Sequence, residues 1–463
     1  MNQDTIAAIA TGLTASGISI IRISGPDAFS VASKIFRSGG KAVDVSSFPS
    51  HTVHYGYISD GQAVIDEVML LVMRAPRTFT REDTVEIDCH GGIVVTKKVL
   101  DTVLRNGARL AGPGEFTKRA FLNGRIDLSQ AEAVMELIES KNERALRNSL
   151  RQLRGGTKER ITELRKQILT DVATIEASLD QPEYYSLEGF AESLSDSVQK
   201  EREEISGMIK SADNGRLIKE GIRTVILGRP NVGKSSLMNA LLREDRAIVT
   251  EIAGTTRDTL SEEIRLNGIT LIVTDTAGIR NTADPVEQIG VKKAHEQAGE
   301  ADLILYVADA SAFLSNGDRE ILSSYRGKKM LAVLNKTDLK KVTKEEQVKA
   351  LLTECGFDAP VVPVSVKEGA GLKELEKTIA DMFFAGELDN DAEAAITSER
   401  QKECLKEAYD SLGKVLDSLS AGLPEDFLSI DLMGAYEALS RIIGEEVDED
   451  LIDRIFEQFC LGK

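Results

Sequence analysis

The sequence Gly228-Arg-Pro-Asn-Val-Gly-Lys-Ser-Ser236 decides the fold class of this chain. It follows the apolar run Thr224–Leu227 and leads into a helical pattern that ends at Leu242. Glycines let a backbone wrap around phosphate groups, and the start of a helix attracts anions with its free N–H groups. In such a motif the lysine, Lys234, reaches the terminal phosphates and the hydroxyl of Ser235 binds Mg²⁺. The segment therefore predicts a nucleotide-binding loop between a strand and a helix.

Short apolar runs continue beyond this loop, and helical patterns separate most of them. Fully apolar short runs that alternate with helices are typical of a parallel sheet covered on both faces. The predicted strands are Thr224–Leu227, Thr270–Thr274, Leu303–Ala308, Met330–Leu334 and Val361–Val364. This region is therefore predicted to be an α/β domain.

Polar motifs follow three of these predicted strands. Asp275-Thr-Ala-Gly278 offers a carboxylate that would hold Mg²⁺ through water and an N–H that would meet the γ-phosphate. Asn335-Lys-Thr-Asp338 ends in a carboxylate that can accept from both the N1–H and the exocyclic amine of guanine, a pair of donors that adenine lacks. Ser365-Val-Lys367 resembles the loop that backs the guanine base. Because ligands bind at the carboxyl ends of parallel strands, the motifs together predict a GTP site.

A further segment, Gly254-Thr-Thr-Arg-Asp258, precedes Asp275 at the place where a switch segment would become ordered on the γ-phosphate. Thr256 is its predicted Mg²⁺ ligand, and the alternative is an ordinary polar loop. The predicted nucleotide contacts are Asn231, Val232, Gly233, Lys234, Ser235, Ser236, Thr250, Thr255, Thr256, Asp275, Thr276, Ala277, Gly278, Asn335, Lys336, Asp338 and Ser365.

The residue after Gly278 is Ile279, which cannot orient the attacking water as the glutamine of Ras-like enzymes does. Hydrolysis therefore needs another group and an additional positive charge. Asn231 places an oxygen in the phosphate loop where it could hold a monovalent cation, or it only shapes the loop. Glu287 could act on water indirectly, or it is a solvated carboxylate on a helix.

The rest of the chain separates into an α+β region and two helical regions. Residues 122–219 and 385–463 carry apolar residues at three- and four-residue spacing, which is typical of long amphipathic helices. Neither helical region is long enough to close a good core alone. We therefore predict a multidomain α/β and α protein, in which an N-terminal α+β domain (1–121) precedes a helical domain (122–219 and 385–463) with an α/β domain (220–384) inserted into it.

The composition, with 42% hydrophobic and 29% charged residues in 463, is that of a folded protein rather than a disordered one. The formal net charge of −18 disfavours non-specific binding of nucleic acid, so contact with RNA needs a local basic patch or a basic partner. No apolar run approaches the roughly 20 residues that cross a bilayer. Four widely separated cysteines and a start without a signal-peptide pattern favour the cytoplasm.

Long stretches along the whole chain are specific enough to indicate a family. They are Asp4–Thr11, Ile21–Gly25, Glu82–Gly92, Pro113–Arg125, Gly228–Ser236, Gly254–Asp258 and Phe459–Lys463. Together they closely resemble the MnmE (TrmE) family of tRNA-modification GTPases. The resemblance implies a potassium-stimulated GTPase, a homodimer formed by folate-binding N-terminal domains, and a heterotetramer with the FAD-containing MnmG. The two proteins would add a carboxymethylaminomethyl or aminomethyl group to carbon 5 of the wobble uridine of certain tRNAs, using a tetrahydrofolate one-carbon donor.

The resemblance also implies roles for single residues. The residues that match the contacts to 5-formyltetrahydrofolate are Arg22, Glu86, Arg125 and Lys463. The residues that match the potassium ligands are Asn231, Thr250, Ile252 and Thr255. Glu287 matches the residue that organises the hydrolytic water. Cys460 is either a catalytic thiol near the folate or a small buried hydrophobic residue.

Several alternatives remain open at this point. Cys89 and His90 are not predicted to bind a metal, because adjacent strand residues point to opposite faces. A basic stripe is either a tRNA contact or an ordinary helix surface, and its members are Arg144, Arg147, Arg151, Arg154 and Lys158. Two rival functions are a regulatory GTP switch that binds ribosomal RNA without modification chemistry, and a folate-binding module whose GTPase domain only senses nucleotide.

Overall fold

The computed structural model of the chain describes residues 4–180, 190–244, 261–266, 269–274, 301–384, 396–459 and 462. The chain forms two compact units. Unit 1 comprises Met1–Ile138, Gln152–Arg202 and Cys404–Lys463, and unit 2 comprises Glu139–Arg151 and Glu203–Glu403. Most of unit 2 is therefore inserted into unit 1 along the chain, as the return of helical periodicity after the α/β region predicts. The boundaries of the four predicted segments stay a prediction.

Unit 1 begins with a sheet that has eight strands in the described residues. They are β1 (Ile6–Ile9), β2 (Ile18–Ser24), β3 (Phe36–Ser38), β4 (Lys41–Ala42), β5 (Thr52–Asp60), β6 (Ala63–Met73), β7 (Thr84–His90) and β8 (Arg109–Leu110). Their spatial order is β4-β3-β5-β6-β7-β2-β1-β8. The paired neighbours are antiparallel, except that β1 and β8 run parallel.

Three helices accompany this sheet. They are α1 (Ala28–Ile35), α2 (Ile93–Arg105) and α3 (Glu115–Leu122). Ile21 and Ile23 of β2 are fully buried in one apolar core with residues of α1 and α2. Because side chains alternate along a strand, Arg22 lies on the opposite face, where its register partner in β7 is Glu86.

Long helices follow, as the apolar periodicity predicts. They are α4 (Leu128–Glu139), α5 (Glu143–Leu153), α6 (Gly156–Asp180) and α7 (Phe190–Glu220). Gly155, with φ of +98°, separates α5 from α6. Along α6 the buried apolar residues are Ile161, Leu164, Ile168, Val172 and Ile175.

The sheet of unit 2 has six strands in the described residues. They are β9 (Ile222–Leu227), β10 (Ser261–Leu266), β11 (Ile269–Thr274), β12 (Leu303–Asp309), β13 (Met330–Asn335) and β14 (Val361–Pro363), in spatial order β10-β11-β9-β12-β13-β14. Five of them are parallel, which confirms the predicted parallel sheet. The edge strand β10 pairs antiparallel with β11 and was not predicted.

Helices cover both faces of this sheet. The remaining helices along the chain are α8 (Lys234–Glu244), α9 (Asn316–Ser323), α10 (Glu345–Glu354), α11 (Leu372–Phe384), α12 (Glu399–Ser420), α13 (Glu425–Ile443) and α14 (Glu449–Glu457). In β12, Leu305 and Val307 pack in a core with α8 and α11, whereas Ile304 and Tyr306 pack in a second core with α9 and α10. This two-sided burial explains why the strands are continuously apolar. None of the described helices combines the length and apolarity that crossing a membrane requires.

Candidate functional site

The phosphate-loop motif lies between β9 and α8, and its backbone depends on glycine at two positions. The φ angle is +149° at Gly228 and +102° at Gly233. A Cβ atom at Gly228 would lie 2.4 Å from the carbonyl oxygen of Val307, and one at Gly233 would lie 2.2 Å from Nδ2 of Asn335. Glycine is therefore required there both by conformation and by space.

Lys234 is the first residue of α8, so the predicted phosphate ligand lies at the amino end of a helix. Its Nζ donates to the carbonyl oxygens of Gly228 (2.8 Å) and Arg229 (2.9 Å). The side chain thus folds back over the loop whose N–H groups would hold phosphates. Ser235 and Ser236 follow in the first turn, and both are exposed.

The motif after β13 holds the phosphate loop in place. The buried Asn335 donates from Nδ2 to the carbonyl oxygen of Val232 (2.9 Å) and accepts at Oδ1 from the N–H of Val366 (3.3 Å). Lys336 donates from Nζ to the carbonyl oxygen of Asn231 (2.7 Å). The two side chains therefore connect the phosphate loop to the ends of β13 and β14.

Asp338, the carboxylate predicted to recognise guanine, is oriented by Ser365. Oγ of the buried Ser365 donates to Oδ1 of Asp338 over 2.8 Å and accepts from the N–H of Glu368 over 3.3 Å. Asp338 borders a cavity of about 770 Å³. Residues that line this cavity include Gly233, Ser236, Asn335, Lys336, Val366 and Lys367. The structure thus brings the phosphate loop and both predicted base-binding motifs to one cavity.

Asp309, the last residue of β12, belongs to this edge of the sheet, and motif matching did not identify it. Its Oδ2 lies 2.6 Å from Nζ of Lys336, and its Oδ1 accepts from the N–H (2.8 Å) and Oγ (2.6 Å) of Ser311. Burial acts to raise the pKa of Asp309, but the bonds from Lys336 and Ser311 outweigh it and lower that pKa. Its position at the end of a parallel strand was the signal that could have found it.

The described part of the phosphate loop has oxygen ligands that suit two cations. Asn231 is exposed with φ of +65°, and its carbonyl oxygen already accepts from Lys336. The side chain of Asn231 adds a further oxygen that suits a monovalent cation. The exposed hydroxyl of Ser235 is a hard oxygen ligand of the kind that Mg²⁺ prefers.

Other predicted site residues lie outside the described part of the chain, and their roles stay predictions. They are Thr250, Ile252, Thr255, Thr256, Asp275, Thr276, Ala277, Gly278, Glu287, Cys460 and Lys463.

A second candidate site lies on the sheet of unit 1, on the face away from α1 and α2. Nε of Arg22 donates to Oε1 of Glu86 over 2.7 Å, and both side chains are mostly buried. The guanidinium of Arg22 also lies 5.6 Å from the ring centroid of Phe116. Arg125 lies 4.9 Å from the ring centroid of Phe79. Phe79 and Phe116 pack in the same apolar cluster, so the three predicted folate residues that the structure describes share one neighbourhood.

Arg125 differs from Arg22 in its electrostatic surroundings. Within the part of the chain that the structure describes, Arg125 forms no ion pair. Burial, with a contribution from Arg81, lowers its pKa. A cation that lacks an acidic partner attracts carboxylates, and a folate carries these on its glutamyl tail.

Arg119 of α3 is a buried cation that the motifs did not single out. Its Nη2 lies 2.7 Å from Asp4 and 3.0 Å from Glu115, and its Nη1 lies 3.2 Å from Glu82. These pairs connect the start of the chain and the loop before β7 to the helix that carries Phe116. Because Asp4 and Glu82 are distant from Arg119 in sequence, no local pattern could have revealed the whole network.

The carboxyl-terminal region of unit 1 returns to the same sheet. A Cβ atom at Gly462 would lie 2.1 Å from the carbonyl oxygen of Ile9 in β1. A Cβ atom at Gly114, which precedes α3, would lie 2.7 Å from the carbonyl oxygen of Phe456. Gly462 therefore lies against β1, the strand that pairs with the strand carrying Arg22.

The structure bears on two further sequence features, the pair Cys89 and His90 and the basic stripe. Cys89 is buried and His90 is exposed, which fits the alternation of a strand. The described residues contain no cluster of His, Cys, Asp or Glu that could hold a metal ion. In the basic stripe, Arg144 stacks 5.7 Å from the ring centroid of Phe384, and Arg147 lies 3.1 Å from Glu143. These two contacts favour the interpretation as a helix surface, and RNA contact stays a prediction.

A parallel sheet with a glycine-bounded phosphate loop after a middle strand, and an Asn-Lys-x-Asp motif at the same edge, defines a P-loop protein of the GTPase class. A family model described as the MnmE helical domain matches residues 128–460, and one described as the GTP-binding protein TrmE N-terminus matches residues 5–125. The chain therefore belongs to the MnmE (TrmE) family of tRNA modification GTPases, which confirms the resemblance seen in its motifs.

Relatives named tRNA modification GTPase MnmE match the chain over its whole length. The relative from Lachnoclostridium phytofermentans is 56% identical over 463 residues, which is 100% of both chains. The relative from Bacillus thuringiensis is 46% identical over 466 residues, again 100% of both chains. The relative from Geobacillus kaustophilus is 47% identical over 465 residues, or 99% of each.

Proposed function

We propose that this chain hydrolyses GTP in a potassium-stimulated reaction and, with the FAD-containing protein MnmG, modifies certain tRNAs. The product carries a carboxymethylaminomethyl or aminomethyl group on carbon 5 of the wobble uridine. The one-carbon unit comes from 5-formyltetrahydrofolate or a related tetrahydrofolate. The chain acts in the cytoplasm as a homodimer through residues 1–121 and forms a heterotetramer with MnmG. The observation that carries the proposal is the meeting of the phosphate loop and Asp338 at one cavity, in a chain whose relatives are named tRNA modification GTPases.

In the nucleotide site each described residue has a definite task. Lys234 leaves its two carbonyl partners to neutralise charge on the terminal phosphates, and Ser235 binds Mg²⁺. Asp338, which Ser365 holds in place, accepts from the guanine edge. Asn231 contributes its side-chain oxygen to K⁺. The remaining ligands of the two cations are Thr256 for Mg²⁺, and Thr250, Ile252 and Thr255 for K⁺.

Hydrolysis then depends on the cation and on a water-organising carboxylate. Asn231, with Thr250, Ile252 and Thr255, would hold K⁺, which would supply the additional positive charge that the transition state needs in a chain with Ile279 at the place of the usual glutamine. Glu287 organises the attacking water.

The folate site uses the charges on the face of β2 and β7. Glu86, oriented by Arg22, accepts from the pterin edge, and Arg125 attracts a glutamyl carboxylate. Lys463 adds a further cation from the tail, whose residue Gly462 approaches β1. Cys460 lies three residues before Lys463 in the sequence, and its participation in the chemistry is part of the proposal.

The decisive experiment is mass spectrometry of wobble nucleosides in tRNA from cells that lack this protein. Loss of the modified uridine, restored by the intact chain but not by a Lys234→Ala copy, is the expected result. Normal nucleosides in the deleted cells would favour the rival function, a regulatory GTP switch without modification chemistry. Full restoration by Lys234→Ala would show that modification does not need the phosphate loop.

The cation role has its own test in purified protein. GTP hydrolysis should be at least about tenfold faster in potassium than in sodium, because a cation that fits the site replaces a missing catalytic charge. The Asn231→Ala protein should hydrolyse GTP at similar low rates in both salts. Equal rates of hydrolysis in the intact protein would refute the role of potassium, and the proposal for guanine recognition would be unaffected.

A further inference from the structure

The short connection between α4 and α5 contacts the β10–β11 hairpin of the GTPase sheet. Residues Glu139–Arg151 belong to unit 2, although the predicted boundaries place them in the first helical part. Asn142 is at the centre of the contact. Its Oδ1 accepts from the N–H of Ala145 (2.8 Å) and caps α5. Its Nδ2 donates to the carbonyl oxygen of Ile218 (2.9 Å), near the end of α7, and to Oγ1 of Thr270 (3.2 Å) in β11.

Lys141 contributes a second contact, an ion pair with Glu263 of β10. In the hairpin register Thr270 lies opposite Arg265, which is two residues from Glu263. Glu263 and Thr270 therefore lie on the same face of the hairpin, because side chains alternate along a strand. The opposite face of the hairpin is buried in an apolar core of unit 2. We call Lys141 and Asn142, with Glu263, Thr270 and the carbonyl of Ile218, the hairpin clamp.

The clamp is tightly packed at Asn142 and Thr270. Asn142 is 9% exposed and Thr270 is 1% exposed. A Cβ atom at Gly221 would lie 2.9 Å from the carbonyl oxygen of Thr270. A buried amide group that loses its hydrogen-bond partner is destabilised by the full free energy of its desolvation. A shift of the hairpin therefore either breaks the hydrogen bond to Asn142 or moves Asn142 with the hairpin.

The hairpin is continuous in sequence with both nucleotide-responsive segments of the proposed function. Ser261 follows the segment Gly254–Asp258 by a few residues, and Thr274 immediately precedes Asp275. From this continuity and the clamp contacts, we propose that Lys141 and Asn142 are positioning residues for GTP hydrolysis. They fix the position of the hairpin, and the hairpin in turn fixes the ends of the two segments that are joined to it in the chain. The proposal rests on the GTPase function proposed above.

Coupling between two equilibria is reciprocal, whereas an effect on kcat alone carries no such requirement. The proposal therefore includes a conformational equilibrium: the hairpin is held differently in the GDP and GTP states, and the exchange of one nucleotide for the other changes the stability of the clamp. We expect the segment Glu139–Arg151 to respond to bound GTP in this way.

The test uses the full chain with Thr270→Val and Glu263→Ala, singly and combined. Thr270→Val keeps the shape of the side chain and removes the acceptor for Asn142, while the cap on α5 stays. The combined variant should lower kcat for GTP hydrolysis about five- to tenfold, with KM within about twofold, since the lost contacts position the reaction rather than bind the base. Glu262→Ala, at the neighbouring carboxylate on the other face of β10, is the matched control and should match the parent protein.

The second readout is hydrogen exchange of the amides in residues 140–151. In the parent protein their exchange should differ between GDP and a non-hydrolysable GTP analogue, and the combined variant should lose this difference while its melting temperature shows that it is folded. Nucleotide-independent exchange in the parent, or parental kcat in the folded combined variant, would overturn the proposal. A parent protein that binds the analogue but hydrolyses no GTP would overturn the proposed function instead, and the exchange difference would still decide whether the clamp senses nucleotide.

Discussion

At the residue scale, recognition of the base depends on a carboxylate whose orientation is set by a neighbour. Ser365 donates to Oδ1 of Asp338, and this leaves the rest of the carboxylate to face the cavity. Guanine presents two adjacent donors, the N1–H and the exocyclic amine, and only a group with two acceptors satisfies both. The preference for GTP over ATP thus follows from the geometry of one side chain.

Asp338→Asn should lower GTP affinity about 100-fold. The asparagine side chain has one acceptor oxygen and one donor NH₂ group, so at least one of the two guanine donors loses its acceptor. Each unmet hydrogen bond costs about 1–3 kcal/mol. Xanthosine triphosphate carries a carbonyl where guanine carries the amine, so it should bind this variant better than GTP does. Titration with fluorescent nucleotides measures both affinities. Ser365→Ala, which keeps the carboxylate and removes the hydrogen bond that orients it, should have a smaller effect. An unchanged ratio of GTP to xanthosine triphosphate affinity in Asp338→Asn would disprove the assigned contact.

Cys89 gives a prediction about thiol reactivity. Burial raises its pKa to about 11, so at pH 8 only about one thiol in a thousand is in the reactive thiolate form. Cys89 is also 2% exposed, which closes access to reagents. Iodoacetamide at pH 8, followed by peptide mass spectrometry, should leave Cys89 unmodified in the native protein and modify it in urea. Rapid labelling of the native protein would contradict the burial of β7.

The residues of the nucleotide site were predictable to the extent that one local motif carries them. Lys234 and Asp338 each lie in a short stretch whose chemistry can be interpreted without a structure. The structure adds Asp309 to this site and Arg119 to the site in unit 1, and each forms an ion pair with a residue far away in sequence. Ser365 was predicted as a contact to the base, and the structure shows in addition that it orients Asp338.

At the scale of elements, periodicity predicted the parallel strands and the long helices but not their surroundings. The edge strand β10 alternates Glu263 and Arg265 with Ile264 and Leu266, a mixed pattern that is weaker than the apolar runs of the central strands. The apolar stripe of α5 predicted a helix correctly. It did not predict that Glu139–Arg151 would belong to unit 2, because a helical period identifies a face and not the element that covers it.

Helix α6 provides a prediction about pH and stability. Burial raises the pKa of Asp171, and a hydrogen bond with Ser197 offsets this only in part. A group whose pKa is raised on folding contributes stability below its unfolded pKa and loses that stability as the pH rises through the folded value. The ionised form of Asp171 therefore opposes folding.

Asp171→Asn should raise the free energy of unfolding at pH 7 by up to about 1 kcal/mol after allowance for solvent screening. The gain should shrink as the pH falls to 4, because the raised pKa makes the folded chain take up this proton before the unfolded chain does. Urea unfolding of the full chain, monitored by circular dichroism at both pH values, measures the difference. Asp180→Asn, at an exposed position of the same helix, should change little. A destabilised Asp171→Asn at pH 7 would mean that the carboxylate makes a favourable contact.

At the scale of the whole molecule, the charge opposes the proposed substrate. A net charge of −18 repels a polyanion such as tRNA, and screening at physiological ionic strength weakens any attraction by isolated exposed cations. The basic stripe, with Arg144 on an aromatic ring and Arg147 beside Glu143, does not reverse this balance. A chain of this charge that modifies tRNA therefore needs a partner that provides the phosphate contacts.

If MnmG is the partner, as proposed, this chain alone should bind tRNA at least about tenfold more weakly in 0.15 M salt than its mixture with MnmG, because the partner would supply the phosphate contacts. Electrophoretic mobility shifts or fluorescence anisotropy across a range of salt concentrations measure both affinities and their salt dependence. Arg147→Glu, which acts at an already paired cation, should change the affinity of the mixture by less than about twofold. Tight, steeply salt-dependent binding by the chain alone would place a phosphate-binding surface on this chain. A large loss in Arg147→Glu would locate that surface on α5, where it would adjoin the hairpin clamp and connect RNA binding to the GTPase sheet.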